Sequence, residues 1–209
     1  MTPATSASKL RSMRTGTQRW LLYGANGYTG KLIAAHAKER GLAPIVAGRR
    51  ADSVHAVAER YGFAARVFAL DSVEEIARNL DGVDAVLLAA GPFARTSAPV
   101  LQACLRTGTH YTDITGELGV LEACRSLDAR AKESGVVVLP AVGFDVVPTD
   151  CLALKLKHAL PGATTLELAI GGGRASAGTT KTGYLGLSLG SAVRENGRIR
   201  RVPLAHKQM

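Results

Sequence analysis

The chain has 209 residues, of which 46% are hydrophobic, 21% charged and 5% aromatic, and it carries a formal net charge of +9. That is enough apolar material for one well-buried domain and part or all of a second, while charges interrupt every apolar run well short of the roughly 20 residues that cross a bilayer, so no transmembrane segment is expected. The basicity sits at the two ends, net +4 over residues 1–19 and again over 194–209, whereas nucleic-acid binders spread Lys and Arg along a folded face and interleave aromatic side chains, so nucleic acid is not an expected partner.

Residues 1–18 are rich in Ser, Thr and basic residues and lack acids and an apolar h-region, which excludes a secretory signal. They read as a disordered basic tail, with Met1 or Met13 as the start; an organelle transit peptide shares this composition. Short apolar runs then predict strands near 19–24, 44–48, 65–69, 84–89, 109–112 and 135–140. The segments between them repeat apolar residues at three- and four-residue spacing and mostly close on Gly, the pattern of helices. The last of these, residues 117–135, reads as one helix. Alternation of this kind predicts an α/β fold with a doubly wound parallel sheet.

Past residue 141 the rhythm changes. Residues 145–162 read as a connecting helix, "TTLELAIGGG" (164–173) as an amphipathic strand, 179–197 as a helix and "RIRRVPL" (198–204) as the start of a strand. The expected organisation is a dinucleotide-binding domain over 19–145 and part of a second domain over 146–209. Cys104, Cys124 and Cys151 are odd in number and far apart, which suggests neither a disulfide framework nor a zinc site and fits a reducing, cytoplasmic setting.

The stretch "LLYGANGYTGKLIA" (21–34) places Gly24, Gly27 and Gly30 between a predicted strand and a predicted helix, where a dinucleotide-binding fold sets its phosphate turn. Gly24 would permit the tight turn, Gly27 the approach of a pyrophosphate and Gly30 close packing of helix on sheet. The helix N-terminus offers free N–H groups and partial positive charge, with Asn26, Tyr28 and Thr29 as further donors. The second strand ends "IVAGRR", with Arg49 and Arg50 where NAD-binding versions carry a ribose-binding acid. Guanidinium groups suit a 2′-phosphate, so NADP is favoured over NAD. Asp52 reads as a helix N-cap rather than a ribose acid. Asp71, after the third strand, suits either the adenine amino group or an N-cap. Ala90, Gly91 and Pro92 end the fourth strand, where small residues leave room for the cofactor.

The motifs "YGANGYTGKLIA", "AGRR", "AAGPF", "GTHYTDITGE" and "PAVGFDVVPTD" together resemble the saccharopine dehydrogenase-like oxidoreductases, and in particular the branch containing trans-acting enoyl reductases. The likeness runs from about residue 19 to 209. It implies an NADP-binding Rossmann domain, a second α+β domain roofing the nicotinamide, and NADPH-dependent hydride transfer to a C=C, C=O or C=N bond of a small or lipid-linked substrate. Members of this family generally run longer, so the chain reads as truncated within its second domain. A non-catalytic NADP-binding sensor or partner-binding module, or a vestigial fragment, is the alternative. Sheet left uncovered by a missing half-domain would favour a homodimer.

"HYTDITGE" follows the predicted fifth strand, placing His110, Tyr111, Asp113, Thr115 and Glu117 on the edge that carries the glycine turn. Tyr111 or His110 would donate a proton opposite the hydride, with Asp113 as a further catalytic candidate. Strand alternation sets Tyr111 and Asp113 on one face and His110 on the other, and Thr115 or Glu117 would equally begin the next helix. The resemblance makes Phe144 a wall of the nicotinamide pocket. Asp145 is a substrate-site candidate, and with Asp150 an alternative helix cap. Arg174, Thr179 and Lys181 would meet an acidic substrate group or form a solvated loop. The sequence lacks Tyr-x-x-x-Lys, G-x-S-x-G, the P-loop and H-E-x-x-H, and its five histidines show no metal-ligand clustering.

Overall fold

Four short strands, the apolar Trp20–Tyr23 (β1), Ile45–Gly48 (β2) and Ala85–Leu88 (β4) and the more polar His110–Asp113 (β5), form the centre of a parallel sheet that Ala65–Val67 (β3) and Val138–Leu139 (β6) close at its edges. The computed structural model describes residues 19–144, 146–168, 176–204 and 206. The strand order is β3-β2-β1-β4-β5-β6, the doubly wound order in which the chain starts centrally, builds outwards, then returns to build the other way. Register is continuous through the middle: Leu22 pairs with Val46 on one side and Leu87 on the other.

The helices connecting these strands are Tyr28–Glu39 (α1), Ala51–Tyr61 (α2), Val73–Asn79 (α3), Phe93–Thr107 (α4), Leu118–Ser126 (α5) and Asp128–Glu133 (α6). Because successive strand residues face opposite ways, β1 sends Leu22 into a cluster with Ala34, Val54 and Val57 of α1 and α2. Leu21 and Tyr23 go the other way, into a cluster with Ile76, Leu101, Cys104 and Cys124 of α3, α4 and α5. Both faces of the sheet are therefore covered, as a parallel sheet requires. The segment 117–135 is two helices rather than one: Leu127, with φ −91° and ψ 2°, separates α5 from α6.

Beyond β6, Val147–Ala159 (α7) is the expected connecting helix, and Ala177–Gly186 (α8) ends in a short 3-10 turn over Leu187–Leu189. Residues 164–168 carry no strand, contrary to the amphipathic-strand expectation, and 169–173 lie outside the described residues. The helix expected over 179–197 stops early as well. Gly190, at φ 70° and ψ −154°, leaves helical geometry, and Ser191–Glu195 (β7) pairs antiparallel with Arg198–Val202 (β8). The turn is Asn196-Gly197, both at positive φ (49° and 76°), which is what a two-residue hairpin loop demands. No helix of the described residues is long and apolar enough to cross a membrane.

Candidate functional site

All six strands run parallel, so the loops after β1, β2, β3, β4 and β5 converge on one edge, the carboxyl edge where doubly wound sheets bind ligands. The glycine turn opens that edge. Gly24 has φ +89°, and a Cβ there would stand 2.9 Å from the Ala89 carbonyl group at the end of β4. A Cβ on Gly30 would overlap the Gly24 carbonyl oxygen and stand 2.8 Å from Ala25 Cα. Only glycine lets α1 come this close to the strand it follows. Gly27 is exposed and is the N-cap residue of α1, which has no side-chain cap. Its amide donates to Gly24 O at 2.9 Å, and the first amide of α1 with an intrahelical partner is that of Lys31, to Gly27 O. The amides of Tyr28, Thr29 and Gly30 thus have no helical acceptor, and they lie at the positive end of the helix dipole.

Asn26, expected as a donor to the cofactor, donates to Ser53 Oγ at 3.0 Å, and Ser53 donates to Arg50 O at 3.1 Å. This bridge ties the glycine turn to the loop after β2. Arg49 and Arg50 are exposed there, and neither guanidinium forms a hydrogen bond or ion pair among the described residues. Asp52 is not a cap: α2 begins at Ala51 with Arg50 as N-cap residue, and Asp52 is the acid of its first turn. Asp71 is not one either. Ser72 caps α3, accepting from Glu75 N at 3.3 Å, which leaves the exposed Asp71 carboxylate without a hydrogen-bond partner among the described residues.

The loop Ala90-Gly91-Pro92 is held by two contacts between distant residues. Thr96 Oγ1 donates to Ala90 O at 2.7 Å, and the Glu117 carboxylate accepts from Phe93 N at 2.7 Å and Ala94 N at 2.8 Å. Glu117 therefore caps α4 from another loop, a negative charge on a helix N-terminus. A Cβ on Gly91 would lie 3.6 Å from Thr182 Oγ1, so α8 reaches this same corner. Lys181, its neighbour, is exposed. Thr179 is occupied in capping α8, its amide donating to Ser176 Oγ at 3.1 Å.

Of the three catalytic candidates, the structure sets His110 away from this edge and Asp113 at it but wholly buried, with Tyr111 between them. His110 is the first residue of β5, paired with Ala85 at the start of β4, so it lies at the amino edge. Three residues of strand, about 10 Å, part it from the carboxyl edge. Its Nδ1 accepts from Val137 N at 3.1 Å, an ordinary structural bond. Tyr111 and Asp113 are each 0% exposed. The phenol donates to Asp113 Oδ2 at 2.6 Å, and Asp113 Oδ1 accepts from Thr115 N at 3.0 Å and Ala141 N at 2.8 Å. Burial, then the Asp113 charge, push the Tyr111 phenol far above its usual range. Burial and Asp113 likewise raise the Cys124 thiol to about 11. This network joins β5 to the segment after β6. Thr115 supports it from the side, accepting from Glu117 N at 3.0 Å.

Phe144 is 80% exposed beyond Gly143, which packs on Ile114 closely enough that a Cβ would stand 3.1 Å from Ile114 Cβ. Asp145 and Arg174 lie outside the described residues. Asp150 is in the first turn of α7, whose N-cap residue Val146 makes no side-chain cap.

Residues 20–139 match the family model described as the saccharopine dehydrogenase NADP-binding domain. A trans-acting enoyl reductase of Mycobacterium leprae is 37% identical over 162 residues, spanning 71% of this chain and 37% of that protein. A putative trans-acting enoyl reductase of Mycobacterium tuberculosis is 35% identical over 149 residues, spanning 66% of this chain and 35% of that one. The chain thus spans little more than a third of the length of these relatives. Among solved structures, apo saccharopine dehydrogenase (L-Glu forming) from Saccharomyces cerevisiae superposes with TM-score 0.61 at 19% identity, over 69% of this chain and 31% of that one, a likeness of fold. The glycine turn with its acceptor-free helix amides and the two unpaired arginines fit a phosphorylated dinucleotide, and with more than half of its residues matched by the family model this chain belongs to the saccharopine dehydrogenase-like, NADP-binding oxidoreductases.

Proposed function

We propose that the chain is the cofactor-holding part of an NADPH-dependent reductase of the trans-acting enoyl reductase type, acting on a C=C, C=O or C=N bond of a small or lipid-linked substrate. Residues 19–145 form the cofactor domain and 146–209 contribute part of the substrate-facing domain. The observation that carries this reading is the pair of unpaired guanidinium groups, Arg49 and Arg50, beside a glycine turn braced by Asn26 and Ser53. Bound NADPH supplies the hydride. Gly24, Gly27 and Gly30 shape the turn, and the amides of Tyr28, Thr29 and Gly30 hold the diphosphate. Arg49 and Arg50 take the 2′-phosphate through charge-assisted hydrogen bonds. Asp71 accepts from the adenine amino group, and Ala90, Gly91 and Pro92 leave the path to the nicotinamide open, held in place by Glu117.

Phe144 forms a wall of the pocket and Lys181 pairs with an acidic substrate group. Tyr111 and Asp113 serve as the internal clamp of the β5–β6 edge and His110 as a strand-end support, so none of the three handles the transferred proton. That burial favours the second reading, a non-catalytic NADP-binding module. Association with a second copy is supported by the exposed leucines of α7.

Calorimetric titration with NADPH and NADH tests the assignment. NADPH is expected to bind more tightly, and Arg49→Ala with Arg50→Ala should remove that preference, about 1–3 kcal/mol for lost charge-assisted bonds. No binding of either nucleotide would overturn it. NADPH oxidation in a substrate screen separates the reductase from the non-catalytic module.

A further inference from the structure

α5 and the β7–β8 hairpin enclose a cleft of about 630 Å³ that the cofactor site does not use. Leu118, Gly119, Glu122 and Arg125 line it from α5, and Arg194, Arg198, Ile199 and Arg201 from the hairpin. The register explains which arginines face it. Arg194 lies opposite Ile199 and Ala192 opposite Arg201; directly opposed residues share a face, and a period of two puts both pairs on the same one. Arg198 and Arg200 belong to the other face, where Arg198 lies opposite Glu195 and Arg200 opposite Val193. There Arg200 is held by the Glu195 carboxylate through two bonds, Nε at 3.0 Å and Nη2 at 2.9 Å, so the acid of β7 is committed away from the cleft.

The cleft wall therefore carries three guanidinium groups, those of Arg125, Arg194 and Arg201, against the single carboxylate of Glu122; Arg198 borders the cleft but lies opposite Glu195, on the other face of the hairpin. Among the described residues, none of Arg125, Arg194, Arg198 and Arg201 makes a side-chain hydrogen bond or ion pair. Like charges gathered round one concavity repel and raise the local potential, which favours a multiply charged anion there. Guanidinium forks match phosphoryl oxygens in pairs. Arg49 and Arg50 stand after β2, three strands from β5 and so about 14 Å across the sheet. A 2′-phosphate held by them cannot also fill this cleft.

We propose that the cleft is a second anion site that binds a phosphoryl group of a ligand other than the dinucleotide. It takes a phosphate ester or diphosphate between Arg125 of α5 and Arg194 and Arg201 of the hairpin. Leu118, one of its lining residues, adjoins the Glu117 that fixes the carboxyl-edge loop, so the ligand lies beside the cofactor edge. The assignment stands whether or not the chain reduces anything.

The test is calorimetric titration of the full chain with inorganic pyrophosphate, in the presence of saturating NADPH to occupy the glycine turn, with citrate as a carboxylate control of comparable charge. One-to-one binding is expected, weakened at least tenfold by Arg194→Ser with Arg201→Ser, and also by Arg125→Ser on the opposite wall. Arg200→Ser removes the same charge from the far face and should change affinity less than twofold. Arg49→Ala with Arg50→Ala should weaken NADPH while sparing pyrophosphate, which separates this site from the cofactor reading. Should the hairpin variants lose structure, Arg125→Ser decides alone, since that side chain lies on the sheet-covering layer. Absence of pyrophosphate binding, equal weakening by Arg200→Ser and Arg125→Ser, or citrate binding as tightly as pyrophosphate would each overturn the proposal.

Discussion

The sheet domain and the segment after it draw on similar apolar content and use it differently. Among the described residues, every buried hydrophobic side chain but Val202 lies at or before Ala141. α4 and α7 show the contrast at the level of one helix. α4 buries Val100, Leu101, Ala103 and Cys104 against the sheet, while α7 buries nothing. Yet a stripe of leucines at four-residue spacing runs along α7 to the residue just past its end, Leu152, Leu156 and Leu160, which are 50%, 40% and 61% exposed. A periodic stripe is enough to favour a helix, but burial needs a second layer to receive it. The sheet supplies that layer to α4.

The comparison breaks most directly by truncation on each side. Leu101→Ala should cost about 2–5 kcal/mol in urea unfolding, because it leaves a cavity in a packed cluster, whereas Leu152→Ala should stay within about 0.5 kcal/mol. Equal effects would mean that the two segments share one core. High pH probes the same interior. Burial raises the Tyr23 phenol, which donates to Phe68 O at 2.8 Å, from 10.0 to about 12. The unfolded chain ionises first, so this contribution is complete below pH 10 and is lost as pH rises towards 12. The loss is on the order of 2–3 kcal/mol. Tyr23→Phe should flatten that fall in a stability–pH series, at a cost of about 1 kcal/mol at neutral pH.

Glu117→Ala comes next, at about 1–3 kcal/mol, since it strands the Phe93 and Ala94 amides. It should also weaken NADPH binding in the same calorimetric assay, because the loop after β4 loses its anchor. The smallest expected effect lies in the hairpin. Gly197→Ala, at φ +76°, should cost about 1 kcal/mol, seen as faster amide exchange in β7 and β8 with NADPH affinity unchanged. A change in that affinity would show that the hairpin supports the cofactor edge.

The parts of the site legible in sequence are those set by neighbours along the chain. Gly24, Gly27 and Gly30 fall between β1 and α1, and Arg49 and Arg50 directly after β2, because a strand followed at once by a helix fixes the turn between them. The Asn196-Gly197 hairpin was legible by the same logic, and the helical reading of 179–197 passed over it. His110 was misplaced for a simpler reason: it opens β5 rather than closing it, and strand boundaries decide which edge a residue meets.

The amino-acid sequence by itself determined the alternation of strand and helix, the glycine turn and the basic loop after β2, all of which follow from periodicity and backbone freedom over a few residues. Tertiary structure decided what no short window contains. It buried Tyr111 and Asp113 together, set Glu117 on amides 23 and 24 residues away, capped α3 with Ser72 so that Asp71 stands free, and brought Arg125 opposite the hairpin arginines. Those outcomes depend on which distant backbone donors and charges the packed sheet and its helices bring within hydrogen-bond or Coulomb range, and that distance is fixed only when the layers close.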